Sequence, residues 1–539
     1  MTTLQPRPPY SDAELQQLYP PRLHLQQVQI LLRHGERTPI NARFTNTGLP
    51  AYWPYCNAVR HLRSAVLGPS GPGTESGSGP GPGPGSASNT FTELQWRRRL
   101  ETFGADDAAI PATGPSDSHK METDGICDFG MLTDRGRETT YALGSRLRKL
   151  YVDHLGFLPA SVHDADFLYL RATPIPRALE SMQQAFLGLY PPHTRAADFP
   201  PLTIISRSPA DETLFPNDSN CRRFAALSRA FAKRAAERWN DSPEMAYLTK
   251  KLGKYMPEES PRVAVDARPR LSGLMDTVNS TLAHGPATRL PKDFYDAKAR
   301  AIMEKIGVEE WYAGYKESEE YRTLGIGALL GDVTARMVSS AERNISPPDE
   351  AFVQARGQGK FEQQAHKMSR SVPDTEQGGF RFGLSGCHDT TLAGVLASLG
   401  AFETDNWPPF TSHIAIELFR DAENTTPSPP PSSSSWLPSF LRPSSSSSSS
   451  IGRTPTPNLT DKQLTSLQGY FVRLRYNDSP VTIPGCKLPG SHLPGDESFC
   501  TLAAFKAIVD KFTPRDWKQQ CRMNIKAPAF PQKPEPAGF

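Results

Sequence analysis

Residues 33–37 read Arg-His-Gly-Glu-Arg, and Pro39 follows two positions on. Far along the chain, Arg171 and the pair His388-Asp389 again stand at the ends of apolar runs. With Glu36 set aside, these three places supply three arginines, two histidines and one carboxylate. Such a set suits phosphoryl chemistry. A phosphoryl group offers three equatorial oxygens, which guanidinium forks hold bidentately. Its transfer is mostly positioning and charge stabilisation. The clamp expected here is Arg33, Arg37 and Arg171, with a cationic His388. His34 would attack phosphorus in line and form a phosphohistidine. Asp389 would protonate the departing alkoxide, which implies best turnover below neutral pH. A lone strand-end arginine is ordinarily a surface charge, and a lone His-Asp pair is ordinarily chance. The specificity lies in the joint pattern, Arg-His-Gly-x-Arg-x-Pro over 33–39 together with His388-Asp389.

These residues can converge only if strands carry them to one edge. Five runs read as strands: 25–32 (LQQVQILL), 166–170 (DFLYL), 381–386 (RFGLSG), 413–419 (HIAIELF) and 469–476 (GYFVRLRY). The first three end at Arg33, at Arg171 and just before Cys387-His388-Asp389. The last two alternate and read as a hairpin whose turn has swollen. Thr133 is a plausible helix N-cap, followed by Leu143, Leu147, Leu150 and Tyr151 on one face. Leu392, Val395, Leu396 and Leu399 form a second stripe, closed by Gly400. Strands alternating with helices imply an α/β sheet core, where ligands bind beyond the carboxyl ends of the strands. Between about 206 and 377 the pattern is largely helical. The expected organisation is therefore a discontinuous α/β catalytic domain, residues 1–205 and 378–539, with a helical cap domain, 206–377, inserted into it.

Two segments, 68–90 (Gly/Pro/Ser) and 423–467 (Ser/Pro), cannot bury apolar surface and are expected to be flexible surface inserts. Gly325, Gly327 and Gly331 miss the dinucleotide spacing and read as a close-packed helix. Trp407-Pro-Pro-Phe410 could line an apolar pocket or form a packed turn. No metal-binding or nucleotide-binding motif occurs.

The chain has 539 residues, with 60 Lys and Arg against 57 Asp and Glu, a net charge of +3. That balance argues against a nucleic-acid partner, so any anion binding is local. Seven cysteines occur without a CxxC pair. Cys486, Cys500 and Cys521 could contribute a disulfide, but ordinary buried thiols are the default expectation. The first residues lack an apolar signal region, no run is long enough to span a membrane, and a cytoplasmic location is the default.

The whole pattern resembles the histidine acid phosphatases, the acid-phosphatase and phytase branch of the histidine phosphatase superfamily. The resemblance rests on 33–39, on His388-Asp389 and on stretches such as LRATPIPRALESM (170–182), DETLFPNDSNC (211–221) and CHDTTLAGVLASLGAF (387–402). Within that family it is nearest the lysophosphatidic acid phosphatases. The resemblance implies a phosphoglycerate-mutase-like mixed sheet flanked by helices, with an inserted α-helical cap. It implies His34 as nucleophile, Asp389 as proton donor, and Arg33, Arg37, Arg171 and His388 as phosphate ligands. It implies no metal and no cofactor, a small phosphorylated substrate with a lysophospholipid phosphate as candidate, and a mitochondrial location as alternative to the cytoplasm. Inositol phosphates are the second substrate class. A phospho-ligand binding protein without turnover and a mutase of the same superfamily are the competing functions.

Overall fold

The computed structural model describes the chain except residues 1, 2, 5, 69–89, 115–121, 344–379, 403–405 and 424–450. Among the described residues the strands are β1 Leu23–Arg33, β2 Leu62–Gly68, β3 Thr90–Trp96, β4 Glu101–Phe103, β5 Ala109–Pro111, β6 Leu168–Ala172, β7 Phe382–Cys387, β8 His413–Asp421, β9 Tyr470–Tyr476, β10 Ser479–Val481, β11 His492–Leu493 and β12 Asp496–Thr501. An eight-stranded mixed sheet runs β11-β12-β9-β8-β1-β7-β6, with β10 paired to β9. β1, β7 and β6 are parallel, and β8 pairs with β1 antiparallel. All five expected strands are present, and β8 and β9 are antiparallel neighbours. The two-stranded ribbons β2-β3 and β4-β5 are additional to the expected strands, and β2 and β3 border the Gly/Pro/Ser segment on either side.

β1 shows why the sheet is central. Val28, Ile30 and Leu32 enter one apolar cluster, and Leu31 enters another on the opposite face. Gln27 and Gln29 are buried with that second face. They are satisfied because Gln27 Nε2 donates to the Phe380 carbonyl and Gln29 Nε2 to the Val333 carbonyl. The first face is covered by α1 (Asp12–Leu18), α2 (Asp134–Arg148) and α3 (Pro176–Leu189). Thr133 caps α2 as expected, its hydroxyl accepting from Gly136 N.

The helical block contains α4 (Arg222–Trp239), α5 (Pro243–Leu252), α6 (Leu271–Ala283), α7 (Ala297–Glu317), α8 (Glu319–Arg322) and α9 (Ala328–Glu342). It divides between two cores. The end of α4, α5, α6 and the first half of α7 bury Trp239, Leu248, Leu274 and Met303 in a core of their own. The second half of α7 and α9 instead join the sheet's second face, with α10 (Asp389–Ser398). The glycines at 325, 327 and 331 allow this packing: a Cβ on Gly327 would stand 2.0 Å from the Phe512 carbonyl oxygen.

Two expectations are corrected. The Ser/Pro insert does not reach 467. Ile451, Leu459 and Leu467 are buried in the sheet's second-face core, and Thr460 caps a short helix at Asp461–Thr465. Spaced apolar residues there outweigh the polar composition. The cysteines are also not ordinary thiols. Cys56–Cys127, Cys221–Cys521 and Cys486–Cys500 are disulfides, and Cys387 alone is a free, buried thiol. Long-range folding brings Cα atoms to 4.6–5.1 Å, inside the disulfide range, which spacing along the chain could not show.

Candidate active site

The register sets Arg33 at the end of β1 beside Cys387 at the end of β7. His34 and His388 therefore leave adjacent strand ends, with ring centroids 5.5 Å apart. Gly35 makes the tight exit possible. A Cβ there would stand 2.2 Å from the Gly136 carbonyl oxygen at the start of α2, so only glycine lets the loop and helix touch. The loop is pinned on several sides. Gly35 N donates to Ser181 Oγ of α3, Thr411 N to the His34 carbonyl, and Thr133 N to the Glu36 carbonyl.

His34 Nδ1 lies 2.9 Å from the Gly35 carbonyl oxygen. Only an N–H can face a carbonyl, so Nδ1 carries the proton and Nε2 keeps its lone pair. Burial, then Arg177, Arg33 and Arg37, hold the His34 imidazole well below its ordinary range, so it is neutral. It lines a cavity of about 500 Å³ together with Arg33, Arg37, Arg177, His388 and Asp389.

Asp389 opens α10, where a negative charge suits the helix N-terminus. Its Oδ2 lies 2.8 Å from Arg33 Nη2 and accepts from the Trp407 indole N–H at 3.0 Å. Burial pushes this carboxyl up, but Arg33, Arg37 and the indole outweigh it and hold it below the usual range. His388 is lowered too, by burial and then by Arg177. Its Nε2 is 3.1 Å from Thr173 Oγ1. The expected cationic His388 is thus neutral, because burial and then the neighbouring guanidiniums disfavour a further positive charge.

Arg33 and Arg37 face the Phe410 ring at 4.2 and 5.7 Å. Arg37 also donates to Asp276 Oδ1 at 2.7 Å, and Asp276 Oδ2 sits 3.3 Å from Arg43. Asp276 lies on α6, a helix the sequence hid behind Ser, Thr and Asn. Trp407 and Phe410 both line the cavity, which decides the Trp-Pro-Pro-Phe stretch for the pocket.

Arg171 is the exception. It pairs with Ser385 in the row of Leu31, two residues short of the ends of β1 and β7. It is fully buried, outside the cavity lining, and its Nη2 donates to Glu212 Oε1 and Thr213 Oγ1. Glu212 Oε1 also accepts from the backbone of Thr213 and Leu214. Arg171 thus fastens the loop that carries Phe215 to the His388 ring, 5.9 Å away. The third guanidinium of the cavity is Arg177, in the first turn of α3 just after Pro176. A cation there opposes the helix dipole, and that local conflict was the available signal. Arg33, Arg37 and Arg177 each leave a buried Nε without a partner.

The geometry agrees with sequence comparison. The profile of the histidine phosphatase superfamily (branch 2) matches residues 24–434. A probable acid phosphatase of Schizosaccharomyces pombe is 32% identical over 509 residues, spanning 94% of this chain and 95% of its own. Lysophosphatidic acid phosphatase type 6 of Homo sapiens is 25% identical over 315 residues, 58% of this chain and 62% of its own. Among solved structures, the apo form of Hafnia alvei phytase superposes with a TM-score of 0.48 at 13% identity, covering 94% of this chain and 99% of its own. By the family match and by the relative that spans nearly its whole length, the chain belongs to the histidine phosphatase superfamily, branch 2, the histidine acid phosphatases.

Proposed function

We propose that the protein hydrolyses phosphate monoesters in this cavity through a phosphohistidine on His34. The observation that carries this reading is the His34 tautomer: Nδ1–H is held by the Gly35 carbonyl, which leaves Nε2 as a lone pair beside three guanidiniums. Arg33, Arg37 and Arg177 hold the phosphoryl oxygens, and His388 joins them once the incoming negative charge raises its proton affinity. Nε2 attacks phosphorus, the bond to the ester oxygen breaks, and Asp389 gives that oxygen a proton. Water then attacks phosphorus while Asp389 takes its proton, the phosphorus–nitrogen bond breaks and returns the lone pair to His34 Nε2, and phosphate leaves.

The depressed Asp389 carboxyl refines the pH argument. In the resting cavity it is ionised, so the needed proton arrives on a monoanionic substrate, whose second ionisation falls near 6. The descending limb of kcat/KM follows that ionisation. Lowering the substrate's own second pKa moves the limb to lower pH, and a limb indifferent to the substrate rules the proton route out.

The candidate substrate is a lysophosphatidate or a similar lysophospholipid phosphate. Two features support it. Part of the wall is apolar, with Ile40, Ile175, Phe215, Met275 and Trp311. The outer cations Arg43 and Arg270 are ion-paired to Asp276 and Glu310, which suits one phosphoryl group better than many. Release of phosphate from phytate but not from lysophosphatidate would reverse this order in favour of inositol phosphates. The three disulfides favour an oxidising compartment over the cytoplasm or the mitochondrion; free thiols at these six positions in protein isolated from cells would overturn that.

Assay of a small aryl phosphate at acidic pH, with rapid alkaline-quench trapping of label on His34, where a phosphorus–nitrogen bond survives, tests the central reading. Equal turnover by wild type and His34→Ala would defeat it. Ligand binding without release would favour a non-catalytic protein, and transfer to a second hydroxyl a mutase.

A further inference from the structure

Behind the catalytic loop lies a histidine that this chemistry does not use. His284 ends α6 and is 6% exposed. Its Nδ1 is 2.7 Å from the Ser280 carbonyl oxygen, so Nδ1 carries a proton by the argument used for His34. Its Nε2 is 2.9 Å from Thr133 Oγ1. The same hydroxyl lies 3.1 Å from the Glu36 carbonyl oxygen and accepts from Gly136 N at 3.3 Å. Glu36 stands between Gly35 and Arg37, so its carbonyl belongs to the loop that presents His34 and Arg37.

Thr133 has one hydroxyl hydrogen and two acceptors facing it. While His284 is neutral, Nε2 is a lone pair and competes with the Glu36 carbonyl for that hydrogen. Once His284 is protonated, Nε2–H donates to Thr133 Oγ1, and the hydroxyl hydrogen is free for Glu36 alone. We propose that His284 and Thr133 are positioning residues that tighten the catalytic loop when His284 takes a proton.

The surroundings fit such a role. Burial, aided by Arg135 and Arg289, lowers the imidazole to about 4 against the pull of the Ser280 carbonyl. The Tyr55 ring stacks on His284 at 5.2 Å and Trp53 meets it edge-on at 5.3 Å, and aromatic faces favour a cationic ring. Asp134, Arg135 and Glu138 of α2 line the cleft of about 440 Å³ beside it, so carboxylates and a guanidinium face it from the capped helix. Protonation therefore occurs in the acid range. The inference rests on turnover in the proposed cavity, since the loop matters through the residues it presents there.

Two substitutions test it. In His284→Gln the amide nitrogen can take the place of Nε2 and donate to Thr133 at every pH; His284→Phe keeps a ring and removes the donor. Turnover of a small aryl phosphate is measured for all three proteins from pH 3.5 to 6.5. The ratio of wild-type to Gln-variant kcat cancels the other ionisations. It is expected near one at the acid end and about one-fifth at pH 6.5, the worth of one neutral hydrogen bond. The Phe variant is expected to lose about five-fold at the acid end and little at pH 6.5. Ratios flat with pH in both variants, as a purely structural role would give, overturn the proposal. Label trapping on His34 in the same samples separates the two readings: its absence beside sloping ratios overturns the nucleophile and leaves the loop device standing.

Discussion

Two buried charge clusters sit on the same sheet and differ in one respect. At Glu417 on β8, Oε1 accepts from Tyr19, Tyr151 and Arg475, and Oε2 accepts from Arg473 and Arg475. Its carboxylate has no valence left, and Arg473 lies against the rings of Tyr19, Phe419 and Phe499. At the cavity, Arg33, Arg37 and Arg177 stand beside two carboxylates, Asp389 and Asp276, and Arg43 and Arg270 add cations at its outer wall. The first cluster is saturated and fixes the fold. The second has surplus cation beside open space, which an arriving phosphoryl group can satisfy. Charge surplus at a cavity, rather than burial of charge as such, separates binding machinery from architecture.

The sharpest way to break this contrast is His34→Ala, expected to cut turnover at least about 1,000-fold with an unchanged melting temperature. Next come the two arginines that the sequence confuses. Arg177→Ala is expected to lower kcat/KM about 100-fold or more without loss of stability. Arg171→Met leaves Glu212 as an uncompensated buried charge and should cost about 3–5 kcal/mol of stability, read by denaturant unfolding. If Arg171→Met instead impairs only catalysis, the assignment of the Arg171–Glu212 pair to architecture fails.

Glu417→Gln should likewise destabilise by about 3–5 kcal/mol at neutral pH. Burial raises the Glu417 carboxyl, but Arg473 and Arg475 bring it down to about 2. A folded value below the unfolded one, about 4.3, gives stability that is complete above that value and lost as pH falls towards 2. The wild-type melting temperature should thus hold to about pH 5 and drop below 4, and the variant should show a shallower drop. The smallest effect is expected of Trp407→Phe, which removes one donor from Asp389, worth about 1 kcal/mol. It should raise the alkaline limb of kcat by less than about one pH unit.

The site was half legible as sequence for a physical reason. Arg33, His34, Arg37, His388 and Asp389 follow apolar runs directly, so strand periodicity places them at one edge. Arg171 also follows such a run, but register, which no single strand reveals, leaves it two residues short of the edge. Arg177 sits in the first turn of a helix, where strand reasoning does not look. Asp276 and His284 come from a helix whose Ser, Thr and Asn residues weaken its apolar stripe. The fold class was readable because apolar strand-like runs alternate with helical stripes, and β1 carries Val28, Ile30 and Leu32 with period two on one face. The disulfides were not, since pairs such as Cys221–Cys521 are 300 residues apart.

Those same bridges give the polypeptide an unusual covalent graph. Cys56–Cys127 encloses residues 69–89 and 115–121; Cys221–Cys521 encloses 344–379, 403–405 and 424–450. Both low-complexity stretches therefore lie inside closed rings. A single cut in either opens a ring without parting the molecule, so the nicked protein migrates as one species until it is reduced.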